Sequence, residues 1–452
     1  MPNLAVVIMA AGKGTRMKSK LPKVMHDLAG KPLIEHVLGM VRQVGIERPM
    51  VILGHGKEVV GRRVSDRCQI VIQNEQLGTG HALMQALPFL DEKDDVIVLS
   101  GDQPLLKSDT LLELIKLHRD EEATATVLTA KLTVPFGYGR IVKNAQELTR
   151  IVEEEDASPE ERKLQEINTG TYCFKVVELK AALSQITPKN AQGEYYLTDV
   201  FNIFIAKGAK VLTHCTSDGD EALGINSRSQ LAEAEKIYRQ RIRQYWMDEG
   251  VTIIDPASTF IDAEVILAPD VTLLPFTFLK GKTQIGEDTV IGPQVLIESC
   301  TCGSGCEISY TVAREAFISE GCLVGPYAYL RPGTYLEAGV KIGDFVEIKN
   351  SHIGEGTKIP HLSYIGDAMV GKSVNIGAGS ITCNYDGFKK SQTKICDHAF
   401  IGSNTNLVAP VEIGEGAMTG AGSTITRDVP AQALAVERSK QVIREQYAKV
   451  KK

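Results

Sequence analysis

The chain has 452 residues, 43% hydrophobic and 23% charged, enough to build more than one globular core. Lys and Arg number 50 against 56 Asp and Glu, a net charge of −6 that excludes the basic footprint of a general nucleic-acid binder. No apolar stretch approaches the roughly 18 residues of a membrane span and no signal-peptide pattern opens the chain, so neither a leader nor a membrane partner is expected.

Between residues 4 and 226 short apolar runs alternate with helical segments. Residues 4–9, 50–53, 69–72 and 95–100 show no polar alternation and predict strands covered on both faces. Residues 32–41, with Pro32 at the first turn, and 111–118 predict helices. The pattern is that of an α/β domain with a mostly parallel sheet, whose ligand sits beyond the carboxyl ends of the strands. Attention falls on the loops after Met9, Ile72 and Leu99. Residues 228–249 then read as one amphipathic connector helix, with Leu231, Ala234, Ile237, Ile242, Tyr245 and Trp246 at roughly helical spacing.

After residue 250 the period changes to six. Ile318, Val324, Leu330, Leu336, Ile342 and Ile348 form one register. It slips by one to Ile353, Ile359 and Ile365, slips again to Val370 and Ile376, and resumes from Ile395 to Ile425. Such a hexapeptide repeat predicts a parallel β-helix, in which the aliphatic residue fills the interior, a small fifth residue fits beside it, and the Gly in second place permits the corner. The segment 382–394 is too polar and too long for a turn and is expected to project as a loop. Residues 432–452 read as a basic tail with Arg438, Lys440, Arg444, Lys449, Lys451 and Lys452. Of nine cysteines only Cys300, Cys302 and Cys306 cluster, without the paired spacing or nearby His of a zinc site. They read as free thiols packed as small apolar residues, in a protein of the reducing cytoplasm.

The loop Ala10-Ala11-Gly12-Lys13-Gly14-Thr15-Arg16-Met17 follows a strand and can cradle phosphate on backbone N–H groups. It is neither a dinucleotide fingerprint nor a P-loop, and alone it is compatible with a mere turn. With Leu21-Pro22-Lys23 it resembles the signature of sugar-nucleotide pyrophosphorylases. Gln73-Asn-Glu-Gln-Leu-Gly78-Thr79 resembles their uracil-facing loop, and Ser100-Gly101-Asp102 their metal-binding turn. Nucleotidyl transfer needs charge stabilisation and positioning rather than a nucleophilic side chain, which suits Arg16 and Lys23 as cations and Asp102 as a hard oxygen ligand for Mg²⁺.

Together with the hexapeptide half, the sequence resembles the bacterial bifunctional N-acetylglucosamine-1-phosphate uridylyltransferase / glucosamine-1-phosphate N-acetyltransferase family over nearly its entire length. The resemblance implies a Rossmann-like nucleotidyltransferase domain at 1–227, a long linker helix at 228–249, and a left-handed parallel β-helix N-acetyltransferase domain with a C-terminal tail at 250–452. It implies acetylation of glucosamine 1-phosphate by acetyl-CoA, then UMP transfer from UTP to N-acetylglucosamine 1-phosphate, in a cytoplasmic homotrimer serving cell-wall biogenesis. It places Ala10, Ala11, Gly12, Lys23, Gln73, Gly78, Thr79, Ser100, Gly101 and Asp102 on the nucleotide. Asn226 becomes the second protein ligand of the metal, and Gly139, Glu153 and Asn168 hold the N-acetylglucosamine. Met9 and Ser100 stand where relatives often carry Leu and Tyr, positions that contribute mainly backbone or packing.

In the β-helix, Arg331 and Lys349 lie three hexads apart and are expected to stack as a cationic patch for a sugar phosphate. Lys349 to His361 is two hexads, before allowing for the slip, and His361 is the obvious general base nearby. The resemblance makes His361 the base that deprotonates the amine of glucosamine 1-phosphate, with Arg331, Lys349, Tyr364 and Asn375 binding that substrate. Asn384 and Tyr385 would close over the site and, with Ala378, Ser403, Ala421 and Arg438, would bind acetyl-CoA. Two other readings share parts of the pattern: a single-activity sugar-1-phosphate nucleotidyltransferase with a structural or regulatory β-helix, and a non-enzymatic regulatory scaffold. The first gives no reason for His361, Asn375 and the 382–394 loop; the second could lose Arg16, Lys23 or Asp102 freely.

Overall fold

A computed structural model describes residues 3–144 and 147–450; Lys451 and Lys452 of the basic tail lie outside them. The chain divides into two compact units, Met1–Tyr238 and Arg239–Lys452. No helix among the described residues is long and apolar enough to cross a membrane.

The first unit is built on a twisted sheet whose main path runs Val211–Cys215, Ala125–Lys131, Glu166–Lys175, Asp95–Ser100, Leu4–Ala10, Met50–Leu53 and Gln69–Ile72. Only Glu166–Lys175 runs antiparallel to its two neighbours on that path. Successive residues of a strand feed opposite faces: Val7, Ile52, Val96 and Val98 enter one core, and Val6, Ile8, Val51, Ile97 and Leu99 the other. Both faces are covered by apolar packing, which is why these strands lack polar alternation. Leu4–Ala10 lies in the middle of the parallel section, between Asp95–Ser100 and Met50–Leu53. Three neighbouring strands therefore deliver their following loops to one edge of the sheet.

The helix Arg228–Asp248 is shared between the units. Leu231, Ala234, Ile237 and Tyr238 pack with Leu28, Leu33, Leu105 and Ile225 in the first unit, while Ile242, Trp246 and Met247 pack on the β-helix core of the second.

The second unit is a three-sided parallel β-helix. One face stacks strands from Thr252–Ile253 to Leu434–Ala435, the next from Phe260–Ile261 to Thr424–Ile425, the third from Ile266–Leu267 to Val411–Ile413. Leu330 pairs with Ile348, so one full coil is three hexads; Ile342 pairs with Ile359, one residue fewer, where the register slips. The aliphatic column and the small fifth residues (Thr357, Val374, Ala417) are fully buried. Cys300, Cys302, Cys306 and Cys322 are free thiols within this core.

The expected role of the second-place glycines is corrected by the structure. Gly286, Gly343 and Gly354 have ordinary φ values, and a Cβ on Gly286 would stand 2.7 Å from the Gly303 backbone of the next coil. These glycines permit close stacking of coils rather than a bend within one. The left-handed corner conformation falls two residues later, as at Gly356 (φ +66°), or on non-glycine residues such as Phe345 (φ 55°). The tail also begins later than expected, because Leu434–Ala435 still pairs with Met418–Thr419 as a last strand.

Candidate active sites

In the first unit a cleft of about 440 Å³ opens at the carboxyl edge of the sheet. It is lined by the 9–16 loop, Lys23, Gln73, Gly78, Thr79, Ser100, Asp102 and Asn226. Gly12 has nothing within 4 Å of the place a Cβ would occupy, so its backbone faces open space. Gly14 does conformational work at φ +62°, and a Cβ there would also meet Lys23 Cβ at 2.9 Å. The loop thus stacks directly on Lys23, whose ammonium is the partly buried cation of the cleft.

The Lys23 ammonium donates to the Asp102 carboxylate and, at 2.9 Å, to Asn226 Oδ1. Two hard oxygens from segments far apart in sequence thereby converge on one positive charge. Such a donor set fits a small divalent cation that keeps most of its waters, because two protein oxygens suffice when phosphates complete the shell. The two ligating segments are tied together: Ile225 N–H donates to the Asp102 carbonyl at 3.0 Å. Glu221, buried, accepts from Thr110 and Thr216 hydroxyls and from Lys107 N–H, holding the approach to Asn226.

Gly139, Glu153 and Asn168 form a second cluster, outside the residues lining that cleft. A Cβ on Gly139 would lie 3.3 Å from Glu153 Oε2 and 3.5 Å from Asn168 Cβ, so the three meet closely. Burial raises the Glu153 carboxyl above the usual carboxylate range, opposed by the Thr198 hydroxyl that donates to it at 2.8 Å. Asn168 Oδ1 accepts from Gly170 N–H, and Gly170 faces Ser100 Oγ, which links this cluster to the cleft floor. Gln73 is buried at the cleft wall, and Thr79 Oγ1 accepts from Leu197 N–H.

In the β-helix the predicted residues sort onto two corners flanking one face. Arg331 and Lys349 occupy successive coils of the first corner. Each has an acidic neighbour: Arg331 donates to Glu347 at 2.8 Å, and Lys349 lies 3.8 Å from Asp367. The Asn384 amide also donates to Asp367, bringing the base of the projecting loop to this corner. Tyr385 and Phe388 are exposed on that loop, with Tyr385 Oη donating to the Gly387 carbonyl at 2.6 Å. Lys390, which sequence reasoning missed, belongs here. The Lys349 amine in hydrogen-bonding contact, together with its charge, pushes Lys390 below the usual lysine range. Asp367 acts on Lys390 in the opposite direction, as it lies beside Lys349. Tyr364 points at the same place, since its hydroxyl covers Gly366, the in-register neighbour of Lys349.

His361 does not share the corner of Lys349. Two hexads are two-thirds of a coil, which carries the chain to another corner. There His361 Nδ1 is hydrogen-bonded to Asp344, its in-register partner on the previous coil. That bond holds the Asp344 carboxyl below its usual range. Above His361 the same corner continues through Ala378, whose carbonyl accepts from Asn404 N–H, and through Ser403, whose carbonyl accepts from Gly422 N–H. Ala421 adjoins Gly422, and a Cβ on Gly422 would lie 3.9 Å from Arg438. Of the residues expected to hold acetyl-CoA, Ala378, Ser403, Ala421 and Arg438 therefore rise in one column above the imidazole, while Asn384 lies at the corner of Asp367, with Tyr385 next to it in the loop. Asn375 alone stands apart, on the neighbouring face between Lys358 and Phe400.

Residues 6–166 match the model of the MobA-like NTP transferase domain, and residues 392–427 that of the bacterial transferase hexapeptide with six repeats. Over all 452 residues, covering the whole of both chains, the sequence is 64% identical to the bifunctional protein GlmU of Desulfitobacterium hafniense. It is 54% identical to that of Heliobacterium modesticaldum over 98% of this chain and 97% of the relative. To that of Carboxydothermus hydrogenoformans it is 51% identical over 98% and 99%. With a nucleotidyltransferase fold and a hexapeptide-repeat β-helix joined in one chain that matches these relatives from end to end, the chain belongs to the GlmU family of bifunctional transferases.

Proposed function

We propose that the two units of this uridylyltransferase and acetyltransferase use the residues described above for consecutive steps. In the β-helix, the amine of glucosamine 1-phosphate attacks the thioester carbonyl of acetyl-CoA. Asp344 holds His361 Nδ1–H, leaving Nε2 to take the amine proton and return it to the departing thiolate. Arg331, Lys349 and Lys390 hold the sugar phosphate, with Tyr364 beside them. Asn384 and Tyr385 border the site from the loop, and Ala378, Ser403, Ala421 and Arg438 carry the coenzyme. The nearly flat column of Ala378 and Ala421 suits a pantetheine arm lying along the coils.

In the first unit, the phosphate of N-acetylglucosamine 1-phosphate attacks the α-phosphate of UTP and pyrophosphate leaves. Arg16 and Lys23 neutralise charge on the phosphates, while Ala10, Ala11, Gly12, Ser100 and Gly101 border the nucleotide. Asp102 and Asn226 are the protein ligands for Mg²⁺. Bound there, Mg²⁺ would neutralise phosphate charge that builds up during the displacement. Gln73, Gly78 and Thr79 face the uracil, and Gly139, Glu153 and Asn168 hold the acetamido sugar.

The observation that carries this reading is the convergence of Asp102, Asn226 and Lys23 in one cleft, in a chain that separately places Asp344 and His361 beneath the Ala378–Arg438 column. Three chains would share each acetyl-transfer site, which accounts for Asn375 lying on a different face from Arg331 and Lys349. The cytoplasm is the compartment that keeps nine unpaired cysteines reduced. The test is a pair of variants of the full chain. His361→Ala is expected to abolish acetyl transfer and leave UTP-dependent pyrophosphate release near the parent rate; Asp102→Asn is expected to do the converse. Equal loss of both activities in either variant contradicts two separate sites.

A further inference from the structure

We propose that His81 sets the base preference of the nucleotide cleft by fixing which way the Gln73 amide points. The inference rests on the reading of Gln73 as the residue facing uracil, and adds what makes that amide selective. Gln73 lines the cleft yet is 3% exposed, so its amide cannot turn freely in water. Its Nε2 makes two contacts: with the Gly78 carbonyl at 3.2 Å and with His81 Nδ1 at 3.1 Å.

The Gly78 carbonyl can only accept, so the amide nitrogen must lie on that side. His81 Nδ1 accepts from the same nitrogen at the shorter of the two ring contacts, which leaves the ring proton on Nε2; Gln85 Nε2, 3.4 Å from that second ring nitrogen, gives its proton to the His81 carbonyl instead. His81 is itself held in place: its ring lies 6.3 Å from the Tyr195 ring, and its carbonyl accepts from Gln85 Nε2 at 3.2 Å. With both amide protons committed, Oε1 is the atom left for a ligand in the cleft, and no donor contacts it among the described residues.

A fixed carbonyl acceptor at that position reads pyrimidines by the state of N3. Uracil presents N3–H, a donor, to it. Cytosine presents an unprotonated N3, so two lone pairs would face each other in a partly desolvated wall. A site built to hydrogen-bond one partner rejects the analogue that cannot reciprocate far more strongly than a difference in shape alone would. Reversing the amide would reverse the preference, since an NH₂ group could donate to cytosine N3. His81 is therefore a positioning residue: it touches no nucleotide and acts through Gln73.

The experiment compares UTP with CTP as substrates of the full-length protein, reading pyrophosphate release as kcat and KM for each. His81→Asn, whose Oδ1 can take the place of Nδ1 and accept from Gln73, is expected to keep the UTP-over-CTP ratio of kcat/KM, whereas in His81→Leu that ratio is expected to fall by about tenfold or more. The change should lie mainly in KM, rising for UTP and falling for CTP. Acetyl transfer by the same preparations reports that the chain is folded, and a purely structural role for His81 would lower kcat with both nucleotides without changing their ratio. Gln73→Leu separates the two layers of the inference. If Gln73→Leu collapses the ratio and His81→Leu keeps it, the role of His81 is overturned. If all three keep it, the reading of Gln73 falls and this proposal with it.

Discussion

An imidazole on the corner of a β-helix is unremarkable until one of its nitrogens is committed, and Asp344 commits it from one coil away. The side chains of His361 and Asp344 are 56% and 35% exposed, so their bond owes little to burial and much to register. Its value is therefore in fixing tautomer and ring orientation rather than in stability, since exposed ion pairs contribute little to folding. Asp344→Asn keeps the shape and removes the charge. Its kcat for acetyl transfer is expected to fall about 10²-fold, within the roughly 10²–10⁴-fold span of a positioned base, with uridylyl transfer unchanged. A kcat within about twofold of the parent would show that His361 works without this partner. In the nucleotide cleft the same logic runs through Lys23. Its ammonium holds the Asp102 and Asn226 oxygens together, which keeps two donors from distant segments aligned while no phosphate is bound.

At the scale of the element, the hexad is two separate glycine problems. Gly286 is restricted by the Gly303 and Ser304 backbone of the next coil, 2.7 Å from where its Cβ would stand. Gly305 has open space around it but a φ of +65°. Gly286→Ala should cost about 1–3 kcal/mol or more through forced separation of coils, and Gly305→Ala only about 1 kcal/mol through backbone strain. Denaturant unfolding of the two variants measures the difference, and equal losses would remove the distinction. The aliphatic columns of this unit were legible in the sequence because a repeat states its own period. The lateral arrangement of functional residues was less so. Coils shorten by a residue at each slip and lengthen across the 384–392 loop, so residues that share a corner are not a constant number of positions apart. Counting back one shortened coil from His361 reaches Asp344, a signal that was present but needed the register of the structure to be used. Lys390 has no place in any period, and only its contact with Lys349 identifies it. In the first unit the strands and the phosphate loop were readable from local pattern. The grouping of Glu153 with Gly139 and Asn168 was not, because it depends on a hairpin folding back on the sheet.

For the whole molecule, one chain carries two catalytic units of different construction: an α/β sheet that gathers loops from distant segments, and a solenoid that stacks residues by coil. Asn375 lies on a different face from Arg331 and Lys349 in the single chain. The proposed site shared between chains would resolve that separation, so sedimentation equilibrium is expected to give the mass of three chains, and a monomer fully active in acetyl transfer would contradict it. The most direct measurement of the bifunctional reading uses the protein with glucosamine 1-phosphate, acetyl-CoA, UTP and Mg²⁺ together, following nucleotide sugars by chromatography. UDP-N-acetylglucosamine is expected to form, and to disappear when either acetyl-CoA or UTP is omitted. No UDP-N-acetylglucosamine from the complete mixture, or its formation without acetyl-CoA, would contradict the reading.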